Sequence, residues 1–192
     1  MGTSKSNLNS CGESLVNGTN DREACLKRWI AALVQMNCEK KVASKLDKLG
    51  IANYVPIQKE VHQWSDRKKT IDRVVIPMIV FAHIAQNEEN EFRKLPFILK
   101  MISYPGSEEL ATTIPDEQII NLKTLLENAP NQVCFESRVP HKGDKVKVTK
   151  GPLKDIEGYV IQENTHSILV LEIELLGYVK LKVDKSFLII VN

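Results

Sequence analysis

Hydrophobic and polar residues alternate along the C-terminal part of the chain. Odd positions from 169 to 175 hold leucine or isoleucine, with glutamate at 172 and 174, and from 179 to 183 valine and leucine alternate with lysine. An earlier alternating segment, Lys145–Thr149, precedes Gly151-Pro152, which stops a strand because proline lacks an amide hydrogen and glycine tolerates positive φ. Alternation between regularly spaced turn residues predicts a small, strongly bent antiparallel β-barrel.

The part of the chain before this barrel combines strands with helices. Trp29–Val34 is an apolar run of strand length, which predicts a buried strand. A helix is predicted over 38–49, with Asn37 as its N-cap and Gly50 as the residue that ends it. Further strands are predicted over 54–64, over 71–83 with an interruption at Pro77, and over 98–103, and further helices over 88–95 and 114–128. This order predicts an α+β sandwich, in which helices pack against an antiparallel sheet.

Composition divides the chain of 192 residues into four segments. Residues 1–26 begin with a stretch rich in serine, asparagine and glycine and are predicted to form a disordered tail. Residues 27–127 carry the α+β pattern, and residues 140–192 carry the barrel pattern. Between them, residues 128–139 show little periodicity, so a linker is predicted there. A chain of this length can hold two small domains that each bury a modest core.

Charge and composition argue against several classes of function. The net charge is +2, so affinity for nucleic acid requires local clustering of basic residues. The chain lacks the residue spacing of a metal site, both among its four cysteines (11, 25, 38 and 134) and among its four histidines (62, 83, 141 and 166). The cysteines are therefore interpreted as reduced thiols in a cytoplasmic protein. No apolar run reaches the roughly 20 residues of a membrane span. Because the chain contains no phosphate-binding motif and no nucleophile motif, we predict no enzyme activity, no cofactor and no metal.

Motifs of one known family occur in order along the chain. The first domain carries four of them: Trp29–Ala32 followed by Asn37–Val42, then Tyr54-Val55-Pro56, Val75–Phe81 and Ile114–Ile119. The second carries the spacing Val-x-Val-x-x-Gly-Pro-x-x-x-x-x-Gly from position 146 to 158, which is similar to a KOW motif. The chain therefore resembles the NusG family of transcription factors. The resemblance implies an NGN α/β sandwich over 27–127 and a Tudor- or SH3-like KOW barrel over 140–192.

Two departures from the family pattern are visible. Met78-Ile79 stands where the housekeeping factors have Gly-Tyr, and Leu33 stands where an aromatic residue is common. These changes indicate a specialised paralogue of the RfaH or UpxY sort, which serves particular long operons.

The resemblance implies an apolar surface that binds the clamp helices of RNA polymerase. An amphipathic helix binds such a groove because apolar anchors and excluded water supply the energy. The same side chains are also candidates for ordinary core positions, most strongly Ile76. The predicted polymerase-binding residues are Trp29, Leu33, Ile76, Pro77, Ile79 and Phe81.

A second, basic surface is implied for the exposed non-template DNA strand. Lysines neutralise phosphates, and an exposed tryptophan can stack on a base. A row of lysines is equally typical of a solvated helix face, so both interpretations stay open at this point. The predicted nucleic-acid-binding residues are Lys41, Lys45, Lys48, Trp64, Arg67, Lys68 and Lys69.

The KOW loop, with Gly151, Pro152 and Gly158, implies a module that recruits a further partner. In the family this partner is the termination factor Rho or the ribosomal protein NusE. The expected function is that of a monomeric, non-catalytic elongation or antitermination factor. The alternatives are a housekeeping NusG that supports Rho-dependent termination and a ribosome-associated protein that binds RNA through the KOW barrel.

Overall fold

The computed structural model describes residues 26–63, 68–107, 110–129, 133–137, 143–163 and 166–191. In this part of the chain, the first domain contains seven strands and three α-helices. They are β1 (Lys27–Val34), α1 (Glu39–Lys48), β2 (Ala52–Tyr54), β3 (Ile57–Gln63), β4 (Lys68–Val74), β5 (Ile79–Ala85), α2 (Glu89–Arg93, after a 3₁₀ turn at Gln86–Glu88), β6 (Ile98–Met101), β7 (Thr113–Ile114) and α3 (Asp116–Asn128).

The central sheet of the first domain is antiparallel, with the order β2-β5-β1-β6 and β7 pairing with β1. Side chains of β1 alternate between its two faces, as the period of a strand requires. Ile30, Ala32 and Val34 share one core cluster with Val42 and Leu46 of α1. On the other face, Ala31, Ile79 and Phe81 share a cluster with the leucines of α3. The sheet is therefore covered on both faces, which explains why β1 is a continuous apolar run.

Strands β3 and β4 leave the central sheet and form a two-stranded antiparallel hairpin. The break falls at Val55-Pro56, because the nitrogen of Pro56 carries no hydrogen for a strand ladder. The carbonyl oxygen of Pro56 still accepts a hydrogen bond from the amide of Val75 (2.8 Å), which closes the base of the hairpin. The side chains of Lys68–Arg73 are exposed, so the hairpin projects from the domain.

The second part of the chain forms a six-stranded antiparallel sheet, here called the β domain. Its strands, in the order β13-β9-β10-β11-β12-β8, are β8 (Val133–Glu136), β9 (Lys145–Val148), β10 (Glu157–Glu163), β11 (His166–Ile173), β12 (Gly177–Val183) and β13 (Leu188–Ile190). Gly151 makes the turn after β9 with φ of 86°. A Cβ added to Gly158 would meet the carbonyl oxygen of Val170 at 2.6 Å, so this position requires glycine. The predicted fold class, an α+β domain followed by a KOW-like β region, is confirmed.

Two local predictions differ from the structure. The first helix begins at Glu39 and has Cys38 as its N-cap, without a side-chain capping bond. Asn37 instead adopts a left-handed conformation with φ of 61°, which asparagine tolerates better than most residues, so the predicted N-cap at Asn37 is wrong. Strand β8 lies within 128–139, the segment assigned to the linker, and pairs with β12. Its sequence, VCFE, lacks the alternation of apolar and polar residues that predicted β9.

The β domain packs against α3 of the first domain. Side chains from α3, such as Leu122 and Leu125, belong to the same core cluster as Leu171 and Val179 of the β domain. The side-chain oxygen of Gln118 accepts a hydrogen bond from the backbone amide of Glu174 (2.9 Å). The hydroxyl of Tyr104 also donates to the Glu174 carboxylate. A cavity of about 170 Å³ remains between α3 and the strands β9 to β12.

Candidate functional site

The predicted polymerase-binding residues lie around one face of the central sheet. Leu33 pairs with Ile79 and Ala31 pairs with Phe81, which places these side chains on the face that α3 covers. Trp29 and Leu33 are partly buried, and Pro77 is exposed. The other three are buried: Ile76 is 1% exposed, Ile79 is 5% exposed and Phe81 is 0% exposed. In the conformation described, they support this face from within the core. Whether the set binds a partner stays a prediction.

An aromatic cluster lies on this face. The rings of Trp29 and His83 lie 4.9 Å apart between centroids, and those of Tyr54 and Phe81 lie 6.2 Å apart and nearly parallel. The Lys123 ammonium lies 5.2 Å from the centroid of the Trp29 ring and 4.9 Å from that of Tyr54. Both distances fall within the range of a cation–π interaction. The face is therefore a partly buried aromatic surface with one positive charge above it, named here the aromatic face.

Tyr54 is the most strongly perturbed titratable group of this surface. Burial raises the pKa of its hydroxyl well above the ordinary value, and the negative charge of Glu127 raises it further. The hydroxyl is therefore neutral at physiological pH, and Tyr54 acts as an aromatic surface with a polar tip.

Three residues of the aromatic face were absent from the predicted set. Tyr54 belongs to the quoted Tyr-Val-Pro motif, which was the available signal, and the structure places it in β2 beside β5. His83 was interpreted as an isolated histidine, although it lies two residues after Phe81 and so on the same face of a strand. Lys123 gave no signal, because its approach to Trp29 depends on how α3 crosses the sheet.

The predicted nucleic-acid-binding lysines are exposed. Lys41, Lys45 and Lys48 lie on the outer side of α1, and Lys45 also places its ammonium 5.0 Å from the Phe97 ring. Lys68 and Lys69 are exposed on β4. Trp64 and Arg67 lie outside the described residues.

One ion pair connects the helix α1 to the hairpin. The Lys40 ammonium lies 2.8 Å from the carboxylate of Asp72. The lysine lowers the pKa of Asp72 through a hydrogen bond and its charge. Such an exposed pair contributes little to stability, but it places the lysines of α1 and those of β4 on neighbouring elements. The exposed lysines of α1 and β4 (Lys41, Lys45, Lys48, Lys68 and Lys69) are together named here the basic surface.

The described residues contain no group of three or more histidine, cysteine, aspartate or glutamate side chains arranged to hold a metal ion. Cys38 and Cys134 are free thiols in the structure. No helix in the described ranges is long and apolar enough to cross a membrane.

Comparison with known proteins now places the chain. Residues 27–123, just over half of the chain, match the family model described as "Transcription termination factor nusG". The solved structure described as "Domain interaction in Thermotoga maritima NusG" is 20% identical, with a TM-score of 0.51, over 88% of this chain and 99% of that one. The MjSpt4:Spt5 complex in its conformation B is 18% identical, with a TM-score of 0.29, over 85% of this chain and 97% of that one. No curated protein sequence matches. The segment matched by the family model contains β1 to β7 and the aromatic face, and the chain belongs to the NusG family of transcription factors.

Proposed function

We propose that this chain is a non-catalytic transcription elongation and antitermination factor that binds RNA polymerase through its first domain. The observation that carries the proposal is the aromatic face, which lies within the segment matched by the family model. Its ring pairs are partly buried on a sheet that is otherwise covered by helices. A surface of this kind suits an amphipathic helix, whose apolar side chains exclude water from the rings. In the family, the partner helix belongs to the polymerase clamp.

Within this surface the residues have different roles. Trp29 and Leu33 contact the partner helix, and Pro77 is exposed beside them. Ile76, Ile79 and Phe81 hold the sheet in shape beneath, because their side chains are buried. Mutation of Phe81 would therefore disturb the fold as well as any interface, whereas Trp29 offers a more selective test.

We further propose that the basic surface contacts the non-template DNA strand of the elongation complex. Exposed lysines on α1 and β4 are suited to neutralise phosphates, and this contact carries no base specificity by itself. The β domain would then recruit a further partner, Rho or NusE, close to the polymerase. Its covalent attachment raises the effective concentration of that partner. All of this takes place in the cytoplasm.

The departures from the family pattern favour antitermination. Leu33 is one of the proposed contact residues, and Met78 directly precedes Ile79, which pairs with Leu33, so a specialised paralogue would differ from the housekeeping factor at this surface. The alternative is a housekeeping role in Rho-dependent termination. A purified transcription assay on a template with a Rho-dependent terminator separates the two, since run-through supports the proposal and increased release supports the alternative.

The binding proposal is tested by measuring the affinity of the full chain for purified core RNA polymerase. Trp29→Ala is expected to weaken binding by about tenfold or more, because aromatic anchors at interfaces typically contribute about 2 kcal/mol. The control is Leu99→Ala, since Leu99 is 59% exposed on β6, a strand that contributes no ring to the aromatic face. Equal weakening by both variants, or binding to ribosomal particles instead of polymerase, would contradict the proposal.

A further inference from the structure

Helix α3 contributes its own side chains to the aromatic face. Ile120 is 58% exposed on the surface of this helix. Lys123 follows it by three positions, so the two side chains are neighbours on the helix surface. The Lys123 ammonium extends over Trp29 and Tyr54. An exposed apolar side chain therefore lies one helical turn from a lysine whose ammonium is above two aromatic rings.

This surface is separate from the contact between the domains. Successive residues of an α-helix are rotated by about 100°, which places Ile120 and Lys123 on roughly the opposite side of α3 from Gln118 and Asn121. Gln118 accepts the hydrogen bond from Glu174, and both Gln118 and Asn121 line the cavity against the β domain. The β domain therefore uses another side of α3 and leaves Ile120 exposed.

Lys123 is held in place without an acidic partner in the described part of the chain. Its described contacts are the two rings, and no described carboxylate forms an ion pair with it. Glu127, one turn further along α3, acts on the hydroxyl of Tyr54. Since the Lys123 ammonium is already held over the two rings, little additional freedom would be lost when a partner pairs with it. Partial burial also strengthens such a pair relative to one in water.

We propose that Ile120 and Lys123 are part of the polymerase-binding surface, and that they recognise a carboxylate next to apolar side chains on an amphipathic partner helix. The inference rests on the proposed function and specifies the chemistry of the partner. Ile120 and Trp29 receive apolar side chains of that helix. Lys123 forms an ion pair with an aspartate or glutamate of that helix, one or two turns from those apolar side chains and on the same face. The carboxylate thereby fixes the register of the partner helix on the aromatic face.

The first test compares three full-length proteins in binding to purified core RNA polymerase over a salt series. Lys123→Met keeps an unbranched stem over the rings and removes the charge, and Lys123→Arg keeps both. The methionine variant is expected to bind about threefold to tenfold more weakly at low salt, with a shallower salt dependence, and the arginine variant is expected to match the wild type. Thermal unfolding of each protein verifies that the fold is retained.

The second test uses a carbodiimide, which couples a lysine amine to a carboxylate in direct contact and leaves arginine unmodified. Mass spectrometry of the wild-type complex is expected to identify a bond between Lys123 and an aspartate or glutamate of the polymerase. The Lys123→Arg complex should form without this bond.

The outcomes separate the inference from the proposed function. If the wild type does not bind polymerase, both are wrong. If all three proteins bind equally and Lys123 couples only to Glu127, the inference is wrong and the proposed function stands. If the methionine variant is weaker only on complexes that contain DNA, Lys123 contacts phosphate, and the carboxylate assignment is wrong.

Discussion

The carboxylate of Glu39 accepts a hydrogen bond of 2.8 Å from the backbone amide of Met78. Glu39 is 3% exposed, and Met78 has a left-handed backbone with φ of 63°. The carbonyl oxygen of Met78 accepts a second bond, of 2.8 Å, from the amide of Val34. Both backbone groups are therefore satisfied, and the turn into β5 is fixed in a conformation that glycine adopts easily and methionine does not. The first helix thus supports the position at which this chain departs from the Gly-Tyr of its family.

Met78→Gly is expected to raise the free energy of unfolding by up to about 1 kcal/mol. The left-handed backbone costs a residue with a Cβ about 1–2 kcal/mol, and the greater freedom of glycine in the unfolded chain offsets part of that gain. Urea denaturation followed by circular dichroism measures the change. Met36→Gly is the control, because Met36 is exposed and does not have a positive φ, so glycine should lower stability there. Equal losses in the two variants would contradict the strain at Met78.

Gly158→Ala is expected to destabilise the β domain by about 1–3 kcal/mol. The new methyl group would meet the carbonyl oxygen of Val170 at 2.6 Å and a side-chain carbon of Leu171 at 3.0 Å, and both neighbours belong to the core of β11. At Gly151 a Cβ would meet nothing within 4 Å, and φ is 86°. Gly151→Asn should therefore cost less, because asparagine tolerates the left-handed region. Similar losses in urea denaturation for both variants would show that close packing does not explain the glycine at 158.

The local pattern of apolar residues, a period of two in the β domain and a continuous apolar run at β1, was sufficient to predict strands in both domains. It could not show that Val55-Pro56 separates β2 from the hairpin, because the residues on either side continue the strand pattern. It also missed β8, whose pairing with β12 is a contact between segments distant in the sequence. The local pattern of residues therefore predicts individual strands, whereas pairing between distant segments determines which sheet each strand joins. The division into domains at 127 and 140 stays a prediction.

Stability is expected to fall above pH 10 in part because of Tyr54. Burial and Glu127 raise the pKa of Tyr54 in the folded protein, whereas the unfolded residue ionises near pH 10. Above that pH the unfolded state loses a proton that the folded state keeps, so the contribution present at lower pH is lost as pH rises. Tyr54→Phe should reduce the difference in unfolding free energy between pH 8 and pH 10.5, as measured in urea. An unchanged difference would mean that Tyr54 does not contribute to the pH dependence.

The candidate site was predicted less completely than the fold. Trp29 was predicted from its motif, and it lies in the aromatic face. Three members of the same set are core residues, because sequence alone does not tell which face of a central strand a helix will cover. Lys123 was missed for a related reason. Its contact with Trp29 joins α3, the last helix of the first domain, to β1, its first strand, and two segments so far apart in the sequence give no local sign of that contact. Binding surfaces depend on packing between distant elements, and motifs locate only some of their residues.

The exposed lysines of α1 and β4 are expected to contribute to retention on the elongation complex and little to folding. Lys41→Ala, Lys45→Ala and Lys68→Ala should each change the unfolding free energy by no more than about 0.5 kcal/mol, as is usual at exposed positions. Each phosphate contact releases counterions, so the triple variant should show a shallower dependence of retention on salt. The measurement is the fraction of protein that stays on a purified elongation complex across a salt series.

The control for this experiment removes the same charge elsewhere, by changing Lys94, Lys154 and Lys182 to alanine. These three lysines are exposed and lie outside α1 and the hairpin. If retention depended only on net charge, the dependence of retention on salt would become shallower by the same amount in both triple variants. The basic surface would then have no particular role. If the first variant followed the wild-type curve, its lysines would be a solvated helix face. A shallower slope in the first variant alone, with an unchanged thermal midpoint, is the result expected for a surface that faces DNA phosphates.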